Sequence, residues 1–453
     1  VPAQAPAWRF PAVERFELGN GLKVAACHLP GRPVLDLRLV VDGGVGREAR
    51  AEAGLAKLTA KTLLQGSQRQ RGQEFQEAVE LLGGHMSTTG AWGGLVAAIS
   101  VPYRSAAPAL AILSELVASP GFHPDDVADE VSKRVDQARV EQLLPQSALG
   151  LAYTAALMAD SARWGLAHEG TAETVAAITP ERVREWWSTF AYPGGATLIA
   201  AGDLTGLDLA AAAEGALGSW AGPDRERAPL SAEEVAPGGR TLVVDQPGAV
   251  QTSLLIGHAS APVPYEGRTA LDVGARVLGG MFSSRLIRIL REEMSIAYAV
   301  GASVEHNPSA DLLMINAPVE GAATAKALSV IVEQVATLAD TLTQVEVRAA
   351  ADYAARRAPV SYTSSAAVAE ALQHTVLHDL PEDHVNRQLE ALRWVSVDEV
   401  AEAVRRTFSA DRLTVAAAGA ASQIVEELEG VRPGVEVLPP ALPAGLDAVV
   451  VGA

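Results

Sequence analysis

The first hundred residues switch between two hydrophobic periods. Apolar and polar side chains alternate at Phe16-Glu17-Leu18 and at Leu22-Lys23-Val24-Ala25, on either side of Gly19-Asn20-Gly21. A period of two flanking such a turn predicts a β-hairpin. Leu35-Asp36-Leu37-Arg38-Leu39 alternates again, runs on through Val40-Val41 and stops at Gly43-Gly44, which predicts another strand. Residues 54–64 and 75–82 change to helical spacing, 95–101 returns to strand, and 106–118 reads as an apolar helix. Pro120-Gly121-Phe122-His123-Pro124 breaks the pattern. Beyond it, 127–144 predicts a long polar helix, 148–158 an apolar one and 180–190 a third, before a strand at 196–201.

The second half repeats this order. Pro180-Glu181-Arg182-Val183 leads through Phe190 into Thr197-Leu198-Ile199-Ala200-Ala201-Gly202. Roughly 220 residues on, Val397-Asp398-Glu399-Val400 leads through Phe408 into Leu413-Thr414-Val415-Ala416-Ala417-Ala418-Gly419. At 453 residues the chain exceeds one ordinary core. Two similar units are therefore expected, 1–220 and 240–453, joined by 221–239 (AGPDRERAPLSAEEVAPGG), which reads as a linker. The mixture of elements predicts an α+β fold, each half a mainly antiparallel sheet with helices packed on it. The proline-punctuated tail from Arg432 is expected on the surface.

Candidate chemistry gathers in residues 279–300, GGMFSSRLIRILREEMSIAYAV. Gly279-Gly280-Met281-Phe282-Ser283-Ser284 reads as a loop whose glycines permit close backbone approach. Leu286, Ile287, Ile289 and Leu290 suit a helix buried on one face, and Ile296-Ala297-Tyr298-Ala299-Val300 a short strand. Arg291 then ends the helix and Tyr298 lies in the strand that follows. A turn between them brings guanidinium and phenol to one surface. Both donate hydrogen bonds, which suits a peptide carbonyl becoming an oxyanion. The competing readings are a helix-end salt bridge for Arg291 and a core aromatic with a satisfied hydroxyl for Tyr298.

This stretch resembles the second half of the M16 (pitrilysin, insulinase, mitochondrial processing peptidase) metallopeptidase family, where a glycine-rich loop and an Arg-x6-Tyr pair contact the substrate. The resemblance runs from about Arg15 to Gly430. It implies two homologous halves of the M16 metallohydrolase fold, Gly279, Gly280 and Ser283 as substrate-binding positions, and Arg291 and Tyr298 as the catalytic pair. Catalytic members carry His-x-x-Glu-His on the first helix of the first half, two zinc ligands and a base. In GLAKLTAKTLLQGS (54–67), Lys57 and Lys61 occupy the histidine positions and Ala60 the glutamate, while the distal ligand falls near Gln137. An ammonium group has no lone pair for a cation. Ser87 stands where the family's asparagine pairs with substrate backbone. The resemblance thus implies no metal in this chain. It implies the non-zinc subunit of a heterodimeric M16 peptidase, with zinc on an HxxEH-bearing partner and a peptide as substrate. Two alternatives are a non-catalytic scaffold, similar to core subunits of respiratory complexes, and a peptide-binding escort protein acting as a homodimer.

Composition narrows the partners. A net charge of −18 leaves no basic excess to neutralise phosphates, so nucleic acid is not expected. The single cysteine, Cys27, sits in an apolar run and reads as a buried, inert thiol. No run of about eighteen apolar residues occurs, so no membrane span is expected. The opening VPAQAPAW has neither an initiator methionine nor an apolar leader, and both a processed export signal and a trimmed start fit it. The expected compartment is cytoplasmic, with periplasmic or secreted as the alternative, and the alanine-rich, lysine-poor composition points to a bacterium. His374 and His378, with Asp379 and His384 near, offer a metal pair on one helix face. Leu377 stands where a protease needs glutamate, and ordinary surface histidines are the preferred reading. His85 and His258 are isolated and read as structural or solvated.

Overall fold

The structure is a computed structural model describing residues 8–440, so the first seven residues and the end of the tail lie outside the described residues. Its strands are β1 (Glu14–Glu17), β2 (Lys23–His28), β3 (Val34–Val41), β4 (His85–Gly90), β5 (Leu95–Pro102) and β6 (Thr197–Gly202) in the first half. The second half contributes β7 (Thr241–Asp245), β8 (Gln251–Ser260), β9 (Gly301–His306), β10 (Asp311–Glu320), β11 (Thr414–Gly419) and β12 (Val435–Leu438). They form two six-stranded sheets, in the orders β1-β2-β6-β3-β5-β4 and β12-β7-β11-β8-β10-β9. Among the described residues, only β2 with β6, and β7 with β11 and β12, run parallel. From β2 and β7 onward the two orders correspond strand for strand, so the sequence repeat extends through five strands of each sheet. The sixth differs in origin: β1 precedes its sheet in the chain, whereas β12 follows.

Alternation along β3 puts Leu35, Leu37 and Leu39 into the first core, opposite the helix Ala106–Ala118 with Leu110 and Leu113. The second core is built the same way around Ile331 and Leu338 of the helix Thr324–Thr341. With its preceding turn, that helix is long and apolar enough to cross a membrane by length and composition, but its buried side chains pack in this core.

The other face of each sheet is covered by a helix from the opposite half. The helix Ser365–Leu377 lies across β3 and β6, where Val368, Ala369 and Leu372 pack with Cys27, Val40 and Ile199. The helix Pro145–Leu157 lies across β8 and β11, and Leu242, Val244, Ala416 and Ala418 of the second sheet join the first core beneath it. Polar contacts fix the first of these dockings. Arg38, held at 2.7 Å by buried Asp36, donates to Gln373 Oε1 at 2.7 Å and to the Ala366 carbonyl at 3.0 Å. Cys27 is fully buried, and burial pushes its thiol up to about 11, as expected of an inert core cysteine.

Residues 221–239, read as a linker, are themselves tied to both halves. Glu233 accepts from the backbone N–H groups of Arg163 and Trp164 at 3.1 and 2.9 Å, and Arg227 donates to the Val376 and Leu377 carbonyls at 3.0 and 3.3 Å. Two of the charged residues in this stretch, Glu233 and Arg227, are thus groups that tie it down. The tail after Arg432 first adds β12 to the edge of the second sheet and buries Leu438 there.

Candidate functional site

The helix Tyr265–Ala275 continues as a π-helical turn through Arg276–Gly280. Gly279 and Gly280 are therefore helical, not a loop as their composition suggested. A Cβ on Gly279 would lie 2.7 Å from Ala302 Cβ and 2.8 Å from its backbone nitrogen, so glycine lets this helix rest directly on β9. The break falls one residue later, at 281–284. A second π-helical stretch, Ile287–Glu293, is anchored at its start by buried Arg285, which donates to both carboxylate oxygens of Glu346 at 2.7 and 2.9 Å and to Thr341 Oγ1 at 2.6 Å. Such wide turns accompany functional sites more often than chance.

Tyr298 is not in the following strand. It comes after a single bridge between Ala297 and Val319 and before β9, and Ser295 at φ 56° reverses the chain just upstream. The expected alternation fails because Tyr298 and Ala299 both face solvent. The pair nevertheless meets. The Arg291 guanidinium lies 4.9 Å from the centre of the Phe282 ring and 5.8 Å from that of Tyr298, a cation between two aromatic rings. Tyr298 is 83% exposed. Among the described residues, neither the Arg291 guanidinium nor the Tyr298 hydroxyl has a hydrogen-bond or ion-pair partner. Neither the helix-end salt bridge nor the core aromatic describes them. Phe282 was missed in the sequence; an aromatic inside a Gly/Ser-rich segment was the available signal.

Arg291 and Tyr298 border a cavity of about 480 Å³ with Gln251, Pro318 and Glu320. Gly279 and Gly280 line a separate one of about 290 Å³ with Gly301, Ser303 and Asn316. Ser283 is exposed and borders a third depression, along the helix Gln344–Ser361. The structure thus joins the arginine and tyrosine and distributes the other candidates around them.

In the first half, Lys57 stands on the helix Leu55–Leu63 and pairs with Glu169 at 2.9 Å. Ala60 is buried and its carbonyl accepts from Thr88 Oγ1 of β4 at 2.6 Å, while Lys61 and Gln137 face solvent. Two ammonium groups, a methyl and an amide do not fit zinc as a donor set. Among the described residues no group of three or more His, Cys, Asp or Glu is placed to hold a metal ion. That includes His374 and His378, whose rings stack at 4.1 Å. His374 is exposed and His378 half-buried, with the His384 ring tilted at 6.1 Å from His374 and its Nδ1 2.9 Å from Tyr265 Oη. His306, the neighbouring imidazole on β9, lies 3.0 Å from Asp311 and 3.4 Å from Asp272. His258 is buried and structural, with its Nε2 accepting from the Ser409 N–H at 3.2 Å.

The start of the 55–63 helix is held by Glu48, which accepts from the N–H groups of Gly54 at 3.1 Å and Ala56 at 2.6 Å. Arg163 donates to the same buried carboxylate at 2.9 and 2.5 Å. Glu48→Ala removes a helix cap and strands a buried arginine, so it costs about 3–5 kcal/mol of stability. Urea denaturation reads this directly, and an unchanged midpoint would show the pair to be dispensable.

Comparison with known proteins adds the following. The family model described as Insulinase (Peptidase family M16) matches residues 23–161, and the one described as Peptidase M16 inactive domain matches residues 177–353. An uncharacterized zinc protease of Mycobacterium leprae is 26% identical over 350 residues, covering 77% of this chain and 78% of that protein. An uncharacterized zinc protease of Rickettsia felis is 22% identical, covering 63% and 68%. Among solved structures, the peptidase M16 inactive domain from Pseudomonas fluorescens superposes with a TM-score of 0.78 at 21% identity, over 90% of this chain and 98% of that one. A protease from Helicobacter pylori gives 0.80 at 16% identity, over 90% and 100%.

Proposed function

The chain belongs to the M16 peptidase family, and from that premise we propose that it is the subunit without zinc of a two-subunit M16 endopeptidase. One contrast carries this reading. The positions that would ligate zinc hold Lys57, Ala60, Lys61 and Gln137, whereas Arg291 and Tyr298 keep their donors unspent at the surface. A chain free of both constraints would have no reason to hold a charged guanidinium between two exposed aromatics. In this reading an HxxEH-bearing partner supplies zinc and base. This chain supplies hydrogen-bond donors: the Tyr298 hydroxyl for the scissile carbonyl oxygen, and Arg291 for a neighbouring substrate carbonyl or carboxylate.

The experiment combines this chain with a zinc-bearing M16 homologue from the same organism. Alone, the chain shows no peptidase activity on mixed fluorogenic peptides and carries no stoichiometric zinc. Mixed, the two elute as a 1:1 complex that cleaves unfolded peptides. Chelator-sensitive hydrolysis by the chain alone would overturn the proposal, as would a persistent monomer or homodimer with no gain of activity on mixing.

A further inference from the structure

Phe282 belongs to two places at once. Its ring lies under the Arg291 guanidinium, and it also borders a groove of about 1200 Å³ along the helix Gln344–Ser361. The helix presents Val345, Ala349, Tyr353 and Val360 to that groove. Spacings of four, four and seven residues place these side chains on one stripe of the outer surface, about 22 Å long at 1.5 Å per residue. The stripe is open: Val345 is 79% exposed, Val360 71% and Phe282 66%. Large side chains grouped on an exposed helix face mark a binding surface more often than they occur by chance.

Charge selects the occupant. Three arginines line the groove, Arg348, Arg356 and Arg357, against one acid, Asp352. Asp352 is shared between Arg348 at 2.7 Å and Arg356 at 3.7 Å, and Arg357 donates to the Tyr353 hydroxyl at 3.0 Å. The groove is therefore locally basic on a chain whose net charge is −18. Arginine beside tyrosine is also a pairing that binding hot spots favour.

We propose that this groove is an exosite for the substrate: it binds an acidic segment with one apolar side, remote from the bond that is cut. The proposal rests on the reading of Arg291 and Tyr298 as a substrate surface, because Phe282 makes the groove continuous with that surface. An extended segment of about seven residues is long enough to run the length of the stripe at roughly 3.3 Å per residue. Apolar side chains of the segment meet Val345, Tyr353 and Val360, and its carboxylates meet the arginines.

The peptide titrations use the chain alone, so they do not depend on a zinc-bearing partner or on hydrolysis. A fluorescent peptide of about seven residues in which leucine and glutamate alternate, so that its extended form has one apolar and one acidic side, is titrated by polarisation at about 0.1 M salt. The same peptide with lysine for glutamate is the control. The acidic peptide is expected to bind at least about tenfold more tightly than its control. Arg356→Glu with Arg357→Glu should invert that preference, and Val345→Asp with Val360→Asp should weaken the acidic peptide by at least about tenfold. All four positions are exposed, and an unchanged thermal unfolding curve verifies the fold. Equal affinity for the two peptides, or indifference to both double variants, would overturn the exosite. So would loss of association with the zinc-bearing homologue while peptide binding persists, since the groove would then be a subunit contact. Failure of the two-subunit reading would instead appear as no complex at all, with the peptide titrations unaffected.

Discussion

Replacing Tyr298 by phenylalanine is expected to lower kcat of the assembled two-subunit enzyme by about 10²–10³-fold, the usual effect of deleting one oxyanion donor, equivalent to about 2.7–4 kcal/mol. The phenol is the better placed of the two donors because it is exposed and unpartnered, so it can approach a developing oxyanion without first breaking an internal bond. Phenylalanine keeps the ring that stacks on Arg291, which stays 5.8 Å away, so the substitution isolates the hydroxyl. Complex formation and the partner's zinc content should be unchanged. Arg291→Ala removes a charge that persists at any working pH and should raise KM as well as lower kcat. Near-wild-type kinetics for both variants, in a correctly assembled complex, would make the pair structural and place the substrate contacts elsewhere.

The second large effect is on stability against acid. Burial lowers His168, His258 and His384 to about 4, and His378 to about 3, with Arg163, Arg412 and His374 adding repulsion at their respective sites. In the unfolded chain each titrates near 6.5. The unfolded state therefore takes up protons first as pH falls, and the stability these neutral imidazoles provide is present above 6.5 and lost below it. The slope is up to about 1.4 kcal/mol per pH unit for each group. The four groups act in the same direction, so the acid limb steepens well above the carboxylate range. His306 has the opposite sign. Burial works against its charge, but Asp272 and Asp311 outweigh it and raise it to about 9, so its contribution is present below 6.5 and lost as pH rises through 9. Stability should peak near pH 6.5–7. Urea midpoints measured from pH 4.5 to 9 test this: a steep acid limb beginning well above the carboxylate range is expected, shallower in His378→Gln with His384→Gln. A flat profile down to pH 5 would overturn it.

What the sequence disclosed follows from how local each signal is. The helices Ala106–Ala118 and Pro180–Phe190 have the bounds their spacing predicts, because one face of each is buried and the period records it. β3 alternates although both its faces are covered, because the face under the helix Ser365–Leu377 carries the Asp36–Arg38 pair. β4 offers no such record: its residues His85-Met86-Ser87-Thr88-Thr89-Gly90 include one large apolar side chain, and as an edge strand it is stabilised by pairing with β5. The apolar helix Pro145–Leu157 announced its burial but not its destination, since nothing in its own residues names the second sheet. At the candidate site, the Arg291–Tyr298 spacing was legible through the family resemblance. Phe282 under the guanidinium was not, because a ring contact depends on how 281–284 turns. The Glu169 partner of Lys57 lies more than a hundred residues away and has no local signature.

The exchange of helices between the halves has a consequence for synthesis. β6 completes the first sheet at Gly202, yet the helix that roofs its outer face ends only at Leu377. At about 5–20 residues per second, the ribosome needs roughly 9–35 s to make the intervening chain. During that interval Val40, Ile199 and Ala201 present an apolar sheet face to solvent with no covering element of their own half. The first half thus gains its outer roof only after most of the second has been made, and the two copies of the repeat finish folding together.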